Sequence, residues 1–185
     1  MNKRQFIAMT IATLFASACA TKVNDAAARR LSLDDQADAA LAKLTGQVPS
    51  SLELIRKAQG VLIFPSFKTA GLVIGGSWGD GVLRTGGETA GYYHADGASA
   101  GLLAGGDSKA VYVLFMTQEA LDKFRNGNGW TFGVDASVVI ANFGADASVD
   151  TRTAQRPVIA YVLANTGLIL NVSLDGAKVR RMDVE

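Results

Sequence analysis

Gly71-Leu72-Val73-Ile74 runs directly into Gly75 to Gly81, read GGSWGDG, and the fold turns on how that stretch is read. Its first five residues fit G-x-S-x-G, the nucleophile elbow that exposes a serine between a strand and a helix of an α/β hydrolase. An elbow needs that helix immediately after Ser77, so that the helix N-terminus supports the oxyanion hole. Trp78-Gly79-Asp80-Gly81 and then a strand pattern to Arg84 follow instead. The serine also needs a base, and His94 is the single histidine. Ser77, Asp80 and His94 keep triad order but fall within 18 residues, whereas such hydrolases draw on separate strand ends of a large parallel sheet. The stretch therefore reads as a glycine-rich β-hairpin with arms at Ala70 to Ile74 and Gly81 to Arg84, a serine esterase using Ser77 being the alternative.

Working outward, 13 of the 20 glycines lie between Gly60 and Gly106, interleaved with apolar runs of strand length. That mixture predicts hairpins and bulged strands. Val61 to Phe64 reads as a buried strand stopped by Pro65, followed by strands at Tyr92 to His94, Gly101 to Ala104 and Lys109 to Met116. Asp80-Gly81 and Asp96-Gly97 read as turns. Trp130, Phe132, Val134, Ala136, Val138 and Ile140 alternate with their neighbours as one strand with an apolar face. Val158 to Leu163, the turn Asn165-Thr166-Gly167 and Leu168 to Leu174 form a hairpin, and Asp175-Gly176 leads into a last strand, Ala177 to Met182.

Helical periodicity is confined to three places. Asp25 to Leu44 carries Leu33, Ala37, Ala40, Leu41 and Leu44 on one face, and Gly46 and Pro49 close it. Ser50-Ser51-Leu52-Glu53 has capping-box spacing for a helix to Ala58. Thr117 caps a third helix through about Arg125, stopped by Gly127. The expected class is α+β: a mostly antiparallel β sandwich or barrel with the N-terminal helices and one internal helix packed on it.

The N-terminus has the parts of an export signal: Lys3 and Arg4, the apolar run Phe6 to Ala18, and small residues at its end. Thirteen residues are too few for a permanent membrane-spanning helix, which needs about 20. Cys19 is the only cysteine, so it has no intramolecular partner. Its place after Ala16-Ser17-Ala18 is similar to a bacterial lipobox, in which the cysteine takes a lipid and becomes the first mature residue. Ordinary cleavage after Ala18 is the alternative. The expected organisation is a signal peptide at 1–18, a lipidated N-terminus and short tether at 19–24, and one domain at 25–185. Ala20 after the cysteine implies the outer membrane, with the domain facing the periplasm.

Charge excludes some partners. The whole chain is +1, and without Lys3 and Arg4 the rest holds 16 basic against 17 acidic residues, a net −1. No global field recruits nucleic acid. One histidine and scattered carboxylates supply no metal-ligand spacing, and no glycine motif has phosphate-loop form, so neither metal nor cofactor is expected.

Segments from Ser50 onward carry a family resemblance. Ala58-Gln59-Gly60 through Phe64-Pro65, Lys68-Thr69-Ala70-Gly71 through Gly81-Val82-Leu83, Gly91-Tyr92-Tyr93, Ser99-Ala100-Gly101-Leu102 and Phe115-Met116-Thr117 belong to it. So do Ala120 to Phe124, Gly133 to Ser137, and Gly167-Leu168 with Ser173 to Gly176. Together they resemble the SYLF domain family, whose members include eukaryotic membrane phosphoinositide binders, actin-binding yeast proteins, and exported bacterial lipoproteins. Leu102-Leu103 departs from it where many members carry Gln. The resemblance implies a non-enzymatic lipid-binding module, with anionic phospholipid or a membrane surface as partner, and alternatively a structural or protein-interaction module of the cell envelope. Membrane engagement would use basic residues: Lys22, Arg29 and Arg30 near the anchor, and Arg56, Lys57 and Lys68 near the domain start.

Overall fold

Three strands, each carrying a run of apolar and aromatic residues, organise the molecule. They are β1 (Gly60–Gly71), β4 (Gly105–Phe115) and β7 (Val158–Ala164), and residues 61–64, 110–115 and 158–164 of them are buried throughout. Side chains of a strand alternate between faces, so burial of every residue requires a core on each side. Leu62, Phe64, Val111, Val113, Phe115, Ala160 and Val162 point into one core. Val61, Ile63, Tyr112, Leu114, Ile159, Tyr161 and Leu163 point into the other.

In the computed structural model the described residues are 3–71, 74–100, 105–127, 129–135, 138–140, 155–164, 167–168 and 176–182, with the side chains of 3–24, 71, 74, 99–100, 105–106 and 168 outside the description. The remaining strands are β2 (Ile74–Thr85), β3 (Glu88–Ala100), β5 (Trp130–Thr131), β6 (Val139–Ile140), β8 (Gly167–Leu168) and β9 (Lys178–Arg181). They join in one curled sheet of order β5-β9-β3-β2-β1-β4-β7-β6, with β8 on β7. Every pairing is antiparallel except β6 with β7. The α+β expectation holds.

The helices close the two faces. On one side lie α1 (Lys3–Gln47) and α2 (Ser51–Lys57), burying Leu33, Ala37, Ala40 and Leu44 of α1 and Leu54 of α2. On the other, α3 (Gln118–Asn126) buries Leu121 and Phe124, and Thr117 accepts the Ala120 N–H as its N-cap. Phe124 packs 4.8 Å from the ring of Phe115, and Trp130 packs 4.7 Å from Phe132. The helix expected over Asp25 to Leu44 is contained in α1, which runs as helix through the expected boundaries at 18/19 and 24/25.

Several local expectations are corrected. GGSWGDG is no hairpin: it is the interior of β2, paired with β1 on one side and β3 on the other. Asp80-Gly81 and Asp96-Gly97 are likewise strand pairs, not turns. Here glycine serves close packing: a Cβ on Gly81 would come within 2.6 Å of the Phe64 ring, and one on Gly97 within 2.8 Å of the Ala177 backbone. The turn lies further on, at Gly86 (φ 61°) and Gly87 (φ 88°), the two left-handed positions that a tight hairpin requires.

Pro65 does not stop β1, because a register shift between Phe64 and Phe67 places it in a bulge where no ladder N–H is needed. The single strand expected from Trp130 to Ala141 breaks after Phe132. Gly133 turns at φ 81°, the Asp135 carboxylate accepts the Thr131 N–H at 2.6 Å, and Val134 is left 78% exposed. Ser50 makes no capping bond, its backbone being helical at φ −64°, ψ −20°, and Glu53 pairs with Lys57. The strand expected at Gly101 to Ala104 and most of Leu168 to Leu174 lie outside the described residues.

Candidate functional site

Alternation along β2 sorts the opening stretch into two faces. Ser77, Gly79, Gly81 and Leu83 look toward the α3 core; Trp78, Asp80, Val82 and Arg84 look toward α1. Directly across from Asp80 on β3 stands His94, whose Nδ1 lies 2.7 Å from Asp80 Oδ1. From above, Arg29 of α1 donates to Asp80 Oδ2 at 2.6 Å. Burial alone would raise the Asp80 pKa, but the hydrogen bonds and charges of His94 and Arg29 outweigh it and hold the carboxyl below its ordinary value.

Beside this trio a cleft of about 460 Å³ opens between α1 and the sheet, with Arg29, Ser66, Lys68, Trp78, Asp80 and His94 on its walls. Trp78 is 42% exposed there, with Lys68 directly opposite on β1. Ser66 shares a 2.9 Å hydrogen bond with Ser108. A smaller cleft of about 310 Å³ lies on the other flank of α1, beside Lys43, Lys109 and Tyr112.

Below the first cleft α1 is pinned by a second polar group. Asp34 accepts from Thr89 at 2.7 Å and from Tyr92 at 2.8 Å, while Arg84 reaches both Asp34 (3.2 Å) and Asp38 (2.8 Å). Burial, then the bond to Asp34, raises the Tyr92 phenol above its ordinary value against the opposing charges of Arg30 and Arg84. The first buried α1 side chain among the described residues is Leu33. Between residues 25 and 32, α1 reaches the sheet through the Arg29–Asp80 pair.

The expected basic residues do not form one patch. Arg29 and Lys68 share the cleft, and Arg30 sits on α1 close enough to act on Tyr92. Arg56 and Lys57 lie exposed at the end of α2, where Lys57 pairs with Glu53 at 2.6 Å. They precede the start of β1, which then runs eight residues, about 26 Å, to Lys68. Cys19 and Lys22 lie in α1, with side chains outside the described residues.

Ser77 faces away from Asp80 and His94 and donates to the Gly97 carbonyl at 3.4 Å, so the three do not assemble as a triad. Among the described residues no cluster of three or more metal-ligating side chains occurs, and no helix is long and apolar enough to cross a membrane. What sequence reasoning missed is the company of Arg29. Trp78 and Asp80, two apart on one strand, were a signal for a shared face, hidden by reading that strand as a turn.

Residues 96–184 match the family model described as Ysc84, Las17-binding protein actin regulator. The chain is also 28% identical over 152 residues to beta cell expansion factor A of Aeromonas veronii, an alignment covering 80% of this chain and 56% of that protein. It thus spans little more than half the length of that relative.

Proposed function

We infer that this chain, whose residues 96–184 belong to the Ysc84 (SYLF) family, is a non-enzymatic envelope protein, held to the outer membrane through lipidated Cys19 with its domain facing the periplasm. Its domain lays one end on the phospholipid surface. The observation that carries this reading is the gathering of Arg29, Lys68 and exposed Trp78 around one cleft beside α1, which runs back from there toward Cys19. Ten residues of helix separate Cys19 from Arg29, about 15 Å at 1.5 Å per residue. An anchor at Cys19 therefore keeps these cations within reach of lipid headgroups. A single lipid chain binds membranes only marginally, and each nearby cation adds about 1 kcal/mol at an anionic surface. An indole at the rim suits the interface, where one end of the ring is wet and the other apolar. Actin filaments are foreign to a bacterial envelope, so actin is not a partner in this reading.

The test is co-sedimentation of the Cys19→Ser chain with neutral and anionic vesicles over a salt series. Binding that weakens with salt and falls in Arg29→Glu/Arg30→Glu supports the reading. Absence of binding to both vesicle types overturns it in favour of a protein-interaction module of the envelope.

A further inference from the structure

The cleft beside α1 contains charges of both signs, and that narrows its ligand. Arg29 spends one of its five N–H donors on Asp80. Lys68, exposed on the wall, makes no ion pair among the described residues. In contact with Arg29 stands the Asp80 carboxylate, 25% exposed, with one hydrogen bond on each oxygen and a lone pair left on each. Two residues before it on the same face is the open indole of Trp78.

A purely anionic group entering here meets Asp80 at close range, and like charges in a half-buried site repel. A cation alone meets Arg29 and Lys68. A group with a phosphate at one end and an ammonium at the other meets both signs: phosphate on the remaining donors of Arg29 and on Lys68, with the Ser66 hydroxyl in the same cleft, and ammonium on Asp80 beside the Trp78 indole.

Resting on the membrane reading above, we propose that this cleft is a headgroup site for a zwitterionic phospholipid of the phosphoethanolamine class. The basic residues around it supply general attraction to the surface, and the cleft supplies the choice of headgroup. Cations, carboxylate and indole line a single cleft of about 460 Å³, so one ligand can meet all three.

His94 is the only histidine and lies on the cleft wall, so its ring resonances report occupancy directly. The experiment titrates the Cys19→Ser chain separately with O-phosphoethanolamine, inorganic phosphate and ethanolamine, following His94 and the two indole N–H signals by NMR. The expected result is perturbation of His94 and Trp78, with buried Trp130 unmoved, and phosphoethanolamine tighter than either fragment by at least about fivefold, the scale of one cation–π contact. Trp78→Ala and Asp80→Asn should each erase that preference while phosphate affinity stays level or rises. Equal affinity for phosphate and phosphoethanolamine would reduce the cleft to a plain anion site and overturn the proposal. So would an unperturbed His94 with all three probes. If His94 stays unperturbed while anionic vesicles still sediment the chain, the headgroup proposal falls and the membrane reading stands. If phosphoethanolamine shifts His94 but no vesicle is bound, the headgroup chemistry stands and the membrane reading falls.

Discussion

Ser77 and Asp80 sit three residues apart on one regular strand and face opposite sides of the sheet. Ser77 is nearly buried, its hydroxyl 3.4 Å from the Gly97 carbonyl, while Asp80 binds Arg29 and His94 on the other side. A hydroxyl bonded at that distance contributes little, within the low end of about 0.5–1.5 kcal/mol for a net hydrogen bond. Ser77→Ala should therefore unfold in urea within about 1 kcal/mol of the parent, and any ester turnover in a preparation should be the same for both. A loss of turnover in the alanine variant would restore the esterase alternative.

The glycines of β2 are not equivalent, and their differences are measurable. A methyl on Gly81 would lie 2.6 Å from Phe64 Cδ1 and 2.8 Å from the Ile63 carbonyl oxygen. Phe64 is fully buried in the α3 core and cannot swing away without strain. Overpacking of this kind costs about 1–3 kcal/mol, so Gly81→Ala should lower the denaturation midpoint by an amount in that range. At Gly76 the nearest atom is 4.0 Å away, and Gly76→Ala should be neutral or stabilising by up to about 1 kcal/mol through the unfolded chain.

The clamp between α1 and the sheet is more consequential than any surface pair. Asp34 satisfies Thr89, Tyr92 and Arg84 together, and the Arg84 side chain is only 14% exposed. Asp34→Ala leaves the Thr89 and Tyr92 hydroxyls without their acceptor and Arg84 with Asp38 alone as its carboxylate, at a cost of about 1–3 kcal/mol. Glu53→Gln breaks the exposed pair with Lys57 and should change the midpoint little. Chemical denaturation of the two variants side by side checks the ranking.

Which features could be read from the residues follows from what signals them. The face of α1 was legible because Leu33, Ala37, Ala40 and Leu44 repeat with helical spacing and are the residues buried. The Thr117 cap and the strands around Val111 and Val158 were equally plain. The course of β2 was not, since a strand with glycine at 75, 76, 79 and 81 imitates a turn unless one knows that Phe64 and Phe67 occupy the space of the missing side chains. The same hidden partner concealed the cleft. Arg29 and Lys68 stand out in the sequence by charge and by their places near the anchor and the domain start, whereas their meeting with Trp78, Asp80 and His94 depends on strand register, which only the folded sheet supplies.

Alkaline titration should distinguish the tyrosines. Burial pushes Tyr112 and Tyr161 up to about 12, and Tyr112 also donates its hydroxyl to the Ala40 carbonyl at 2.7 Å. Because the folded state favours the neutral phenol, this contribution to stability is complete below the unfolded value near 10 and is lost as pH rises from there toward 12. Phenolate absorbance in native buffer should therefore show two late-ionising tyrosines, whereas in urea all four should ionise near 10. Simultaneous ionisation of the four in native buffer would contradict the packing of these two rings.

The division of the basic residues by the sheet leads to a functional comparison. Lys68 lies on the cleft with Arg29, and Arg56 and Lys57 lie before the start of β1, about 26 Å back along that strand. At physiological salt electrostatic attraction fades over about 8 Å, so charges at the far end contribute nothing to a surface touched by the near one. Lys68→Glu should weaken binding to anionic vesicles at least fivefold, the equivalent of about 1 kcal/mol per lost cation. Arg56→Glu/Lys57→Glu, although it reverses twice as many charges, should leave the vesicle affinity of the Cys19→Ser chain unchanged. Should the double reversal be the one that abolishes sedimentation, the domain docks by its α2 end, and the orientation argued from α1 and Arg29 is inverted.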